Sequence, residues 1–212
     1  EVEGSAAILS RANQALATME RYKDRLDEVA GVLSELEIED MVTVRDVVVV
    51  AQRIEMVRRI GAEIADYVIE LGSDGRLLSL QHAELVGGVA DELVLIARDC
   101  VPNPSLVDSA LAELETLSAS ELLNLERIAT AFGLGTESGA LDSGLTPRGY
   151  RLLSRVPRLP DFAAERLVDY FGDAQGLLSA TAEQLQAVDG IGETRALATR
   201  EGLARIVDST FR

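Results

Sequence analysis

The chain has little of what catalytic or extracellular proteins usually rely on. It carries one cysteine, one histidine and no tryptophan, and aromatic residues make up only 4% of its 212 positions. A lone cysteine excludes an internal disulfide and a cysteine-based zinc site, and a lone histidine excludes most histidine-built metal centres. A reducing cytoplasm fits this usage. The longest unbroken apolar runs, such as Val47 to Ala51, are five residues, far below the roughly 18 that a membrane span needs. The first residues show no basic stretch followed by an apolar core, so no secretory signal is expected. Cations are scarce as well: 20 Lys/Arg stand against 36 Asp/Glu, a net charge of −16. Read over the whole chain, that balance argues against nucleic acid.

What is present is unevenly distributed. Residues 1–147 hold 11 Lys/Arg and 27 Asp/Glu, so the full −16 lies there, while residues 148–212 hold nine of each and are neutral. In the neutral part Arg148, Arg151, Arg155 and Arg158 recur at three- and four-residue steps. That is the spacing of one helix face, read either as a solvated row or as a field for phosphate.

Periodicity predicts an all-α fold. Ile8, Ala12, Ala15, Met19, Tyr22, Leu26, Val29, Leu33 and Leu36 alternate steps of four and three, an a/d seam. A second seam runs through Val47, Val50, Ile54, Val57, Gly61, Ile64, Val68 and Leu71, opened by Thr43 and Asp46 as a capping box. The pair reads as a long helical hairpin, either a spine or the core of a bundle. Shorter helices are expected near 76–86, 89–100, 106–117 and 119–132, with Ser105/Asp108 and Ser118/Glu121 as start signals. Residues 133–146 hold four glycines and no period. They read as a connecting loop, with Leu134, Leu141 or Leu145 as pins onto the helices. Thr146-Pro147 reads as a helix start.

No catalytic constellation emerges, and no catalytic or metal-binding residue is assigned. Gly133 to Gly139 superficially resembles a dinucleotide fingerprint but lacks the preceding strand that the chemistry requires. His82 and Cys100 have no partner of metal-ligating or nucleophilic type nearby and read as helix-face residues. The informative stretch is Leu185 to Leu197, a short helix, the hairpin Gly190-Ile191-Gly192, and a second helix. Ile191 would plug the core, while the amides of Gly190–Thr194, with Thr194 and Arg195 beside them, would face an anionic oxygen. This is helix-hairpin-helix spacing, which grips DNA phosphate without reading bases. A second copy lies 32 residues earlier, with Leu159 matching Ile191, Pro157 and Pro160 replacing the glycines, and Arg158 within the hairpin.

Several segments together resemble the DNA integrity scanning proteins of actinobacteria: Ser10 to Ala15, Tyr22 to Val29, Arg53 to Gly61, Glu70 to Arg76, Thr146 to Ser154, Val156 to Pro160 and Asp189 to Glu193. The resemblance implies a diadenylate cyclase family that makes cyclic di-AMP from ATP with a divalent metal, followed by a helical linker and a helix-hairpin-helix domain that binds branched DNA such as Holliday junctions, in DNA damage and repair. The family's cyclase signatures, Asp-Gly-Ala and Arg-His-Arg, are missing, so this chain is expected to hold no cofactor and to be no enzyme itself. It divides into residues 1–10 as a remnant of the cyclase end, 11–132 as linker, 133–146 as loop, and 147–212 as the tandem DNA-binding domain. Expected partners are branched DNA and the protein's own cyclase domain, with a homo-oligomer open, no membrane, and a cytoplasmic, nucleoid-associated setting. An acidic scaffold for protein partners, with hairpins that are only structural turns, is the alternative.

Overall fold

The computed structural model describes residues 4–212. Among them there is no strand, only an isolated bridge between Thr43 and Gly144, and no helix is long and apolar enough to cross a membrane. The first three residues of the expected remnant 1–10 lie outside the described range. Residues from Ser5 onward run straight into the first helix.

That helix, α1 (Ser5–Glu39), and α2 (Val44–Leu71) form the antiparallel hairpin. At 1.5 Å per residue they are about 52 and 42 Å long. Asp40, in the left-handed conformation at φ 56°, stops α1. The Thr43 box starts α2: Asp46 N–H donates to Thr43 Oγ1, and Thr43 N–H donates to Asp46 Oδ2 at 2.8 Å. The run Val47–Val50 is helical despite its β propensity, because Val47, Val48, Val50 and Ala51 are all buried, and packing outweighs propensity.

α2 is the centre of a bundle rather than half of a bare spine. Around it pack α3 (Arg76–Val86), α4 (Val89–Cys100), α5 (Val107–Thr116), α6 (Ala119–Leu122) and α7 (Leu125–Ala131). α2 therefore buries Gln52 and Glu55 as well as its seam. Gln52 donates to Leu122 O at 2.8 Å, and Glu55 accepts from Arg58 and Arg59 at 2.7 and 2.8 Å. His82 bonds Gly61 O at 2.7 Å, and Cys100 is buried. Two expected helices begin or break elsewhere. Asn103, not Ser105, caps the turn that leads into α5, and the 119–132 segment splits at Asn124, whose side chain caps α7.

The glycine-rich segment lies against the bundle. Leu141 is buried, Leu134 and Leu145 pack on the same core, and Leu145 N–H donates to Val42 O at 2.8 Å. The next helix is α8 (Tyr150–Ser154), not one opened by Thr146-Pro147. Its cap comes from outside. The Asp99 carboxylate of α4 accepts the amides of Gly149, Tyr150 and Arg151 at 2.9, 2.6 and 3.1 Å. A compact unit follows: α9 (Asp161–Phe171), α10 (Ala174–Ser179), α11 (Ala182–Gln186) and α12 (Glu193–Thr210), around a core that includes Leu153, Leu167, Leu177, Leu185 and Leu203.

Candidate nucleic-acid interface

Each hairpin joins a short helix to a longer one. In the second, Val188 N–H donates to Leu185 O at 3.2 Å, Gly190 takes φ 81°, and Ile191 N–H returns to Val188 O at 3.0 Å. Ile191 is buried, and extended Gly192 opens α12. In the first, Val156 N–H donates to Leu153 O at 3.0 Å, Arg158 takes φ 60°, Leu159 packs on the same core, and extended Pro160 opens α9. Arg158 therefore stands where Gly190 stands, and Pro160 where Gly192 does. This corrects the expectation that Pro157 replaces a glycine: Pro157 matches Asp189. A left-handed arginine costs on the order of 1 kcal/mol.

The two hairpins differ in what they offer an anion. Ala196 N–H is bonded back to Gly192 O at 2.9 Å, so the amides ahead of it in the first turn of α12 have no acceptor in the helix. Gly192, Glu193 and Thr194 are exposed, and nothing lies within 4 Å of where a Gly192 side chain would begin. Arg195 arches back to donate to Gly190 O at 3.2 Å. Free amides at a helix N-terminus favour negative charge. The first hairpin has Pro160, without an N–H, at the equivalent place.

The expected arginine row does not form. α8 is only five residues long, and Arg148 and Arg158 lie outside it. Arg148 donates to the carbonyls of Arg98, Val101 and Pro102 at 2.8, 2.7 and 2.7 Å, closing the C-terminal end of α4. Arg151 is 5% exposed. It donates to Glu37 at 2.8 Å, to Ala30 O at 3.0 Å and to Glu92. Both side chains hold the module to the bundle, Arg151 buried and Arg148 half-buried. Arg155 and Arg158 remain exposed, with Arg155 donating to Thr210 Oγ1 at 3.3 Å.

A model described as the DisA bacterial checkpoint controller linker region matches residues 2–141. The DNA integrity scanning protein DisA of Streptomyces coelicolor is 60% identical over 215 residues, which cover 99% of this chain and 58% of that protein. Those of Frankia alni and Kineococcus radiotolerans are 58% and 55% identical over 213 residues, each covering 99% of this chain and 59% of the relative. This chain belongs to the DisA family. It spans under three fifths of the length of these curated relatives.

The family's linker match ends at Leu141. The hairpin module packs against the linker helices as the leucine pins led one to expect, but through polar residues that the sequence did not mark. Besides Arg148, Arg151 and Asp99, Gln175 donates to Glu37 O at 2.8 Å, Arg98 pairs with Glu165 at 3.3 Å, and Arg98 stacks on Tyr150 at 3.9 Å. Burial pushes the Glu37 carboxyl up to about 7 against the pull of Arg151. It pushes Asp99 up to about 6 against its three amide bonds.

Two further residues at the hairpins were also missed. Arg166 of α9 donates to Asp189 O at 2.8 Å, so the first unit latches the second hairpin. Phe162, 47% exposed, has the Arg166 and Arg195 guanidinium groups 5.7 and 5.3 Å from its ring centroid. Nothing in the local spacing around either residue marks it. Among the described residues no group of three His, Cys, Asp or Glu side chains is arranged to hold a metal ion.

Proposed function

We propose that this chain is the non-catalytic, DNA-binding and regulatory part of a DNA integrity scanning protein. It binds branched DNA without reading sequence, and in the full-length protein that occupancy regulates cyclic di-AMP synthesis from ATP by the cyclase domain, in the cytoplasm and on the nucleoid. The observation that carries the reading is the matched pair of hairpins, with open amides at Gly192–Arg195 and exposed Arg158 and Arg155 near the other turn. The acidic bundle repels DNA, but screening over roughly 10 Å at 0.1 M salt confines that repulsion to its own neighbourhood. The clamp of Arg151, Asp99 and Gln175 supports a rigid route from DNA to linker.

The test compares binding of a labelled four-way junction and a plain duplex by the wild-type chain and Gly192→Leu. Gly192 is extended, at φ −77°, with open space around it, so leucine there leaves the fold intact while covering the amides. Junction affinity is expected to fall about tenfold or more, that is by about 1.4 kcal/mol. Equal binding by the two proteins refutes the hairpin as the contact. A salt-insensitive protein partner, with no junction binding at low salt, would favour the acidic scaffold instead. Regulation is tested by grafting the chain onto an active cyclase domain: a rate unchanged at saturating junction DNA leaves the bundle as a spacer.

A further inference from the structure

We infer that the exposed ring of Phe162 is a stacking platform for an unpaired nucleobase beside the phosphate cradle of the second hairpin. This rests on the DNA-binding reading above and adds what a phosphate grip alone lacks, a reason to prefer DNA with an unstacked base over continuous duplex.

Phe162 is one of four phenylalanines in the chain, and the module core does not use it. Under the 32-residue offset it occupies the place of Thr194, in the first turn of the helix that follows a hairpin. The first hairpin therefore presents a phenyl ring where the second presents a hydroxyl, and a proline where the second presents a glycine amide. The pair is divided in chemistry: one turn suits phosphate, and the other offers an apolar face.

The ring is fixed to the cradle. Arg195 lies 5.3 Å from its centroid while donating to Gly190 O, and Arg166 lies 5.7 Å away while donating to Asp189 O. Neither guanidinium covers the ring as closely as Arg98 covers Tyr150 at 3.9 Å, and about half of the Phe162 surface stays open to solvent. Arg166 also approaches the exposed Asp189 carboxylate at 3.4 Å, which offsets one of the two negative groups beside the cradle, the other being exposed Glu193. A base inside continuous duplex is already stacked on both sides and cannot reach such a ring. A base left unpaired at a gap or bulge can, and so can one at an open branch point that has lost a stacking neighbour. Its phosphate would lie at the Gly192–Arg195 amides. Every base has a π face, so the contact is tolerant of sequence, and neighbouring arginines strengthen it.

The experiment uses the full chain as wild type, Phe162→Leu and Phe162→Trp, with two probes: a duplex bearing one unpaired 2-aminopurine, and the same duplex fully paired. Wild type should quench the unpaired 2-aminopurine. Phe162→Leu should bind the bulged probe about fivefold or more weakly, without quenching, and bind the paired probe as wild type does. Phe162→Trp should restore both signals. Unchanged melting of both variants shows that the fold is intact, as an exposed position allows. The platform is refuted if Phe162→Leu binds both probes like wild type, or loses both equally. If wild type binds neither probe, the DNA-binding reading itself fails. If Gly192→Leu loses both probes while Phe162→Leu loses neither, that reading stands and the platform falls.

Discussion

Replacing Arg151 with methionine separates a DNA contact from a structural clamp. Its guanidinium is buried between Glu37 and Glu92, with Ala30 O as a third acceptor. Removing it leaves two carboxylates facing each other beside buried Asp99. Breaking a buried pair by deleting one partner costs roughly 3–5 kcal/mol. Glu37, already pushed up to about 7 with the arginine present, would take a proton at neutral pH, which holds the loss near the lower end. For a chain of this length, about 3 kcal/mol lowers the melting temperature by roughly 6–12 °C. Calorimetry would measure it, and Arg151→Met/Glu37→Met should recover part of the loss. Below the transition, the salt dependence of junction binding should keep its slope. A guanidinium on a phosphate would instead give up about one unit. A loss below about 1 kcal/mol, or a slope reduced by one, would refute the clamp.

Glu37→Gln should flatten one component of the stability profile. The folded value of Glu37, about 7, lies above the ordinary 4.5, so between those values the folded chain holds a proton that the unfolded chain releases. Wild-type stability relative to the variant should fall as pH rises from about 4.5 to about 7 and level off above, read as melting temperature against pH. Leu141→Ala should cost about 2–4 kcal/mol and open residues 133–146 to proteolysis. Arg166→Ala should speed hydrogen exchange at Gly190 and Ile191, seen by amide NMR, and lower the salt slope of DNA binding.

Local signals in the sequence carried much of the fold. The boxes at Thr43/Asp46 and Ser118/Glu121 form as read, and α3 and α4 span the expected residues because glycines and a proline punctuate them. The pin at Leu141 was legible from an isolated leucine among glycines. The start of α8 was not, because its cap is Asp99, fifty residues back in the chain. The arginine row misled for the same reason. Three-four spacing shows which side chains share a face, but not that Glu37, 114 residues away, waits on the other side of Arg151. The hairpins were legible through their apolar plugs, Leu159 and Ile191, which recur at a fixed offset. The left-handed turn at Arg158 was hidden by a residue that rarely adopts it.

The most direct measurement is an amide NMR titration of the chain with four-way junction DNA. The largest shifts are expected at Gly190, Gly192, Glu193, Thr194 and Arg195, with smaller ones at Arg158 and Phe162, and none along the acidic face of α1. Shifts confined to α1 and α2, with Gly192–Arg195 unmoved at saturation, would contradict the account.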